Sequence, residues 1–398
     1  MGECDTERSD QSAISAGPSS WRNWRSHNGG VKALGGVEVS LYSDAWFVDE
    51  VLDFGPYDFL NPVPQTNRLV GQYDWKPAAV LRASHHLKPS TGDMTVTNDD
   101  HYHGGWLYDE IAALAGLALG ARIIAGPVDR DFGYGDDPLG RPRRQSASML
   151  PILPSRTDDP LIPALFATHD LRNLAILHSY PSLNAKTASV LVKAARLYQQ
   201  ALRISDSAPE ISWLLLVSAV EVAAGHWTNE TVDLTEQLTR RIPKIVQKLS
   251  QQHDDTILTE LSNYLAPITG STGKFNKFCK TFKPEPPERR PKWCRFDYDL
   301  KPYSFAIAQV YEYRSRALHG GTPFPFPMCQ PPRLTGDETG VPEERPGGLA
   351  ASAQGGTWIT GDLPMLLHVF AHIARGTLLN WWATMLENPV SPSLDDSP

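Results

Sequence analysis

The sequence predicts a mainly α-helical protein in which a C-terminal helical bundle follows a smaller α/β domain. Apolar residues recur at helical spacing in most segments after residue 161. Apolar and polar residues alternate over 37–42, which is the pattern of a half-buried strand. A chain of 398 residues is long enough for two or three domains, each with its own core.

Changes in composition set the predicted domain boundaries. Residues 1–36 are rich in Ser, Gly and charge, and we expect a disordered or loosely docked leader. The small α/β domain covers 37–130, with strands at 37–42, 78–81 and 94–97 and a helix at 107–125. Residues 131–160 are rich in Asp, Gly, Pro and Arg and predict a linker or surface loop.

The predicted bundle covers 161–390, and residues 391–398 form a tail. A Pro- and Gly-rich excursion without regular structure interrupts the bundle at 322–356. Amphipathic or apolar patterns with start and stop signals predict its helices at 184–204, 211–225, 231–249, 256–265, 304–321 and 362–386.

Bulk composition narrows the classes of function. The net charge of −8 argues against a protein that coats nucleic acid, so any RNA contact requires a local basic patch. No apolar run approaches the ~20 residues of a membrane-spanning helix. The cysteines are too few for a disulfide framework and lack metal-ligand spacing, so we expect a cytoplasmic protein. We also expect no bound metal or cofactor. The cysteines are Cys4, Cys279, Cys294 and Cys329.

The main candidate site is a pair of residues near the end of the predicted helix 304–321. Arg314 and His319 are five positions apart, and the helix ends at Gly320-Gly321. Five residues at ~100° each leave the two side chains ~140° apart on a regular helix. They converge only if the helix tightens or ends there, or if a second copy completes the site.

Two other Arg–His pairs have a similar spacing. Arg22 and His27 lie in the polar leader, whereas Arg172 and His178 lie in a segment that could be helical, so this second pair is a competitor. Glu221 lies in an otherwise apolar helix, where a carboxylate must be paired or neutral. We expect it to pair with Arg314 or Arg316. In a purely structural alternative, this pair stabilises the bundle and His319 caps its helix.

The segment Tyr313-Arg-Ser-Arg-Ala-Leu-His-Gly320 resembles the signature of HEPN domains, especially the Apea-like branch with its RS…HG form. Ser218-Ala-Val-Glu221 is similar to the acidic segment of an earlier helix in that branch. The resemblance covers roughly 165–390 and implies an up-and-down bundle of four to five helices that forms a homodimer. Ser315 stands where many HEPN enzymes have Asn, Asp or His.

The resemblance also implies an activity. Many members are metal-independent endoribonucleases in toxin or anti-phage defence systems, which gives Arg314 and His319 catalytic roles, with Ser315, Glu221 and Arg316 in support. The alternatives are a catalytically inactive HEPN module that binds nucleotide or RNA or mediates assembly, and a structural helical scaffold. A regulatory partner could bind through the N-terminal domain.

A basic, aromatic stretch at 274–301 precedes the candidate site. Cations for phosphates and rings for stacking suit single-stranded RNA. The alternative is a solvated loop whose rings pack under the bundle. The RNA-binding candidates are Lys274, Lys277, Lys280, Arg289, Arg290, Lys292 and Arg295, and the interleaved rings are Phe275, Phe278, Phe282, Trp293 and Phe296.

A metal site near the predicted helix 107–125 is a weaker hypothesis. His101 and His103 follow two aspartates, and His85-His86 is close in sequence, but no complete ligand set is legible. We therefore expect a polar loop there.

Overall fold

The structure is a computed structural model, and it describes most of the chain. The described residues are 17–62, 76–87, 102–133, 138–144, 159–231, 270–332, 340–344 and 350–387, with 95, 97, 99, 151, 246 and 247. They divide into two compact units, one that runs up to Ala208 and resumes at Trp382, and one from Pro209 to Trp381. Apart from residues 231, 246 and 247, the predicted helices at 231–249 and 256–265 lie outside the described residues, as does the tail at 391–398.

Within its described residues, the first unit combines three helices with a five-stranded antiparallel sheet and a two-stranded parallel ribbon. The sheet has the strand order β3-β4-β1-β5-β6, and β2 pairs with β7. The elements are α1 (Ser19–Asn28), β1 (Gly35–Ser43), β2 (Trp46–Val48), β3 (Tyr57–Leu60), β4 (Lys76–His85), α2 (Leu107–Leu119), β5 (Ile124–Asp131), β6 (Arg141–Pro142), β7 (Thr168–Asp170) and α3 (Ala185–Ile204). A 3₁₀ segment at Leu171–Ser182 precedes α3.

The described part of the second unit contains three complete helices and most of a fourth. They are α4 (Pro209–Thr231), α5 (Ser271–Thr281), α6 (Leu300–Gly320) and α7 (Leu367–Glu387), and the antiparallel hairpin β8 (Ala350–Ala353) and β9 (Gly356–Ile359) lies between the last two. Trp213 is at the centre of the core, where its ring stacks on Phe324 and Phe370 with centroid distances of 5.1 Å in both cases. No helix in the described ranges is long and apolar enough to cross a bilayer.

The prediction of a mainly α-helical fold is wrong, because the protein is a mixed α/β protein. The sheet takes up more of the chain than the alternating pattern at 37–42 indicated. The C-terminal part is also not a clear all-helical bundle, since a β-hairpin and short 3₁₀ turns interrupt its helices.

The predicted helix 107–125 shows one reason for this error. Its helix ends at Leu119, because Gly120 adopts a left-handed conformation with φ 73° and its N–H donates to the carbonyl of Gly116. The chain then enters β5, where Ile124 pairs with Tyr42 of β1. Ile124 and Ala125 continue the helical pattern in the sequence, but cross-strand pairing with β1 places them in the sheet.

Residues 17–36 of the predicted leader are ordered, so the expectation of a disordered or loosely docked leader is wrong for this part. α1 buries Trp21 and Trp24, and the Trp21 Nε1–H donates to the Leu183 carbonyl at 3.0 Å. The backbone N–H of Ser20 donates to the buried carboxylate of Glu110 at 2.6 Å, which satisfies a free amide at the start of the helix. These contacts hold a polar sequence that has little helical pattern of its own.

Candidate functional site

Helix α6 carries the candidate pair and ends as the sequence predicts. Gly321 has φ 65°, and its N–H donates to the Arg316 carbonyl. The helix stays regular through His319, so the side chains of Arg314 and His319 leave it ~140° apart. The helix does not tighten to bring them together.

Arg314 is anchored to the neighbouring helix α4. Its Nη2 donates to Oε2 of Glu221 at 2.6 Å, and the two side chains are 19% and 18% exposed. Glu221 therefore pairs with Arg314 and not with Arg316. Among the described residues, Glu221 is the only hydrogen-bond acceptor of this guanidinium. The Nε atom is buried without an acceptor, so only the outer N–H groups are left for a ligand.

Tyr311 completes this arrangement and was not among the candidate residues predicted from the sequence. Its hydroxyl donates to Oε1 of Glu221 at 2.7 Å, and its ring lies 5.5 Å from the Arg314 guanidinium carbon. Burial, together with the hydrogen bond to Glu221, raises the pKa of Tyr311 to about 12. The tyrosine therefore stays a neutral donor. An aromatic residue three positions before the arginine was the available signal, because residues i and i+3 share a helix face.

The other residues of the motif differ in exposure. His319 and Arg316 are exposed, and Ser315 is half-buried. The Arg316 guanidinium lies 5.6 Å from the ring of Tyr313, whose hydroxyl donates to the Asp362 carbonyl at 2.6 Å. His319 is therefore open to solvent at the last turn of α6.

The basic stretch divides into buried and exposed groups. Lys274 is buried, and Arg290 donates to Glu343 at 2.8 Å and to the Phe296 carbonyl at 2.5 Å. Arg295 is exposed, and its Nε donates to the Pro291 carbonyl. The other exposed candidates are Lys277, Lys280, Arg289 and Lys292.

The rings of this stretch mostly do not face solvent. Phe275, Phe278, Phe282 and Phe296 are buried, whereas Trp293 is 49% exposed. Of the two alternatives for these rings, a stacking surface built from all five does not fit, because these phenylalanines pack in the protein interior. Only Trp293 is left to stack on a base.

The side chains of the competing pair, Arg172 and His178, contact other groups. Arg172 is exposed and forms ion pairs with Asp170 and Asp49, at 2.5 and 2.9 Å. The His178 ring packs on Phe54 with a centroid distance of 4.1 Å. Neither the ion pairs of Arg172 nor the ring contact of His178 positions the two side chains to bind the same phosphate.

The hypothetical metal site around His103 is not present as a cluster in the described part of the chain. His103 contacts Glu110 at 2.7 Å, and both side chains are buried. His101 lies outside the described residues. No group of three or more His, Cys, Asp or Glu side chains there could hold a metal ion.

Comparisons of this chain with protein-family models, with curated proteins and with solved structures found no match. The candidate site therefore has to be judged on its own geometry and chemistry.

Proposed function

We propose that the protein is a metal-independent endoribonuclease of the HEPN type in which Arg314 binds the scissile phosphate and His319 transfers the proton. The observation that carries the proposal is the exposed imidazole of His319 in the last turn of α6, on the helix whose Arg314 is anchored by Glu221. The proposal rests on this helix and its motif, and does not require an all-helical bundle.

The chemistry needs only the groups that this helix carries. RNA has a 2′-hydroxyl beside each phosphodiester, and cleavage requires a base for that hydroxyl and a cation for the phosphate oxygens. An arginine fork matches phosphate oxygens, and a histidine exchanges protons near neutral pH. Glu221 and Tyr311 restrict the Arg314 side chain before substrate binds, which lowers the entropic cost of the phosphate contact.

A homodimer is part of the proposal, because one regular helix directs the two side chains apart. A second copy can supply His319 to the Arg314 of its partner, and two histidines can act as base and acid.

We further propose that single-stranded RNA reaches the site across the exposed cations and the Trp293 ring. These cations are Lys277, Lys280, Arg289, Lys292 and Arg295. Cys279 and Cys329 are buried free thiols, which fits a role in the cytoplasm. We propose a toxin or antiviral defence effector whose N-terminal unit binds a regulatory partner.

The test is incubation of the purified full-length protein with end-labelled single-stranded RNA in EDTA. We expect cleavage by the wild type, and a loss of about 100-fold or more in Arg314→Ala and in His319→Ala, the usual range for a lost acid–base group. Arg172→Ala and His178→Ala are matched controls and should retain activity. Equal cleavage by all variants, or intact RNA with the wild type, would overturn the proposal.

One observation favours an inactive module as the second candidate. Glu221 neutralises Arg314, and Tyr311 satisfies the other carboxylate oxygen, as in a structural ion pair. Gel-shift measurements on the same RNA separate the two functions. Binding that depends on Lys277, Lys280 and Trp293 without any cleavage would identify an RNA-binding module.

A further inference from the structure

Two histidines that are distant in sequence meet in the first unit. His27 lies in the last turn of α1, and His86 directly follows β4. The Nδ1 atom of His27 is 3.3 Å from the Nε2 atom of His86, and the rings meet edge to face with centroids 4.8 Å apart. His86 is 8% exposed, whereas His27 is half-buried. One side of the pair is therefore open to small solutes.

The surrounding backbone fixes the tautomer of His86. Its Nδ1 lies 2.6 Å from the Val31 carbonyl oxygen, which can only accept a hydrogen bond, so this nitrogen carries the proton. The Nε2 lone pair is therefore directed at His27. The backbone N–H of His86 also donates to Oδ1 of Asn23 at 2.7 Å. Metal-ligating histidines commonly have this arrangement, with one ring nitrogen bonded to a carbonyl and the other free for the metal.

The spacing of the two nitrogens matches a coordination polyhedron. Zinc binds imidazole nitrogen at about 2.0–2.1 Å with tetrahedral angles. Two ligands of such a tetrahedron are about 3.3–3.4 Å apart. The separation of His27 Nδ1 and His86 Nε2 agrees with this value without any movement of the backbone.

We propose that His27 and His86 bind one divalent transition-metal ion of the Zn²⁺ class, with water in the remaining positions. Imidazole ligands favour Zn²⁺, Ni²⁺ or Cu²⁺, whereas Mg²⁺ and Ca²⁺ require oxygen ligands. The ion joins the end of α1 to the end of β4 and so holds the N-terminal helix on its unit. With two protein ligands, the site binds metal more weakly than a four-ligand structural site.

The test is calorimetric titration of the chelator-treated, full-length protein with Zn²⁺, with Mg²⁺ as the control cation. We expect one equivalent of Zn²⁺ whose affinity falls at least about tenfold in His27→Gln, since even lost second-shell contacts cost about 10–100-fold. His178→Gln removes a histidine of the same unit outside the pair and should bind as the wild type does. Zn²⁺ should also raise the thermal unfolding midpoint of the wild type and of His178→Gln, but not of His27→Gln.

Equal Zn²⁺ affinity in the wild type and His27→Gln would overturn the proposal. So would the absence of any binding, which would identify the pair as a hydrogen bond between two neutral rings. His27 is half-buried, so its glutamine variant should fold, and far-UV circular dichroism checks this. His86→Gln provides a second variant, because its amide can still donate to the Val31 carbonyl. The readout is metal binding, so the result does not depend on RNA cleavage.

Discussion

Replacing Glu221 by glutamine tests whether the carboxylate positions Arg314. The carboxylate accepts two hydrogen bonds, from the Arg314 guanidinium at 2.6 Å and from the Tyr311 hydroxyl at 2.7 Å. Hydrogen bonds that involve a charged group contribute about 1.5–3 kcal/mol each. The glutamine carbonyl can keep one of them, and solvent screens a pair that is about a fifth exposed. We therefore expect Glu221→Gln to lower the free energy of unfolding by about 2 kcal/mol.

Urea unfolding of a double-mutant cycle isolates the contribution of the pair. The cycle combines Glu221→Gln with Arg314→Met, which keeps most of the aliphatic stem, and we expect a coupling energy of about 1–2 kcal/mol. Glu312→Gln is the matched control, because Glu312 lies on α6 like Arg314 and is exposed. It should change the free energy of unfolding by less than about 0.5 kcal/mol. A coupling energy below about 0.5 kcal/mol would refute the claim that Glu221 holds Arg314 in place.

Three further predictions concern the second unit. Trp213→Ala removes the ring stacked on Phe324 and Phe370 and should lower the free energy of unfolding, measured in urea, by about 3–5 kcal/mol. A loss below about 1 kcal/mol would contradict a central packing role. Burial lowers the pKa of His368 to about 4, so its contribution to stability is complete above about pH 6.5 and is lost as the pH falls toward 4. The wild type should lose about 1–2 kcal/mol more than His368→Leu between pH 6.5 and 5, and parallel pH profiles would contradict this. At Gly321 an added Cβ meets no atom within 4 Å, so Gly321→Ala costs only the backbone strain of φ 65°, about 1 kcal/mol. This change should lower the thermal unfolding midpoint by about 2–4 °C. An unchanged midpoint would argue against the left-handed cap.

Local signals in the sequence were sufficient to predict where several helices begin or end. The segment 184–204 forms α3 because Asn184 accepts a hydrogen bond from the Thr187 N–H at 2.8 Å and its apolar stripe is buried. The segment 304–321 likewise ends at the predicted glycine. In both cases, the residues that decide the boundary lie within one turn of it.

Long-range contacts explain the parts of the fold that the sequence did not predict. The sequence offered no local reason for α1, whose N-terminal amides are satisfied by Glu110, about 90 positions away. Beyond the Gly120 cap, the helix predicted to 125 does not continue, and Arg122 lies buried between Asp44 and Asp206, at 2.7 and 3.2 Å. A buried arginine between two carboxylates depends on the tertiary fold, and a helical pattern carries no information about it.

The candidate site shows the same division. The sequence by itself determined that α6 exists, that it ends at Gly321, and that a carboxylate such as Glu221 within an apolar helix needs a partner. Only the tertiary structure decided that Arg314 is that partner and that Tyr311 shares the carboxylate. The rotation of α6 against α4 selects one arginine over another two positions away, and packing across the whole unit sets that rotation.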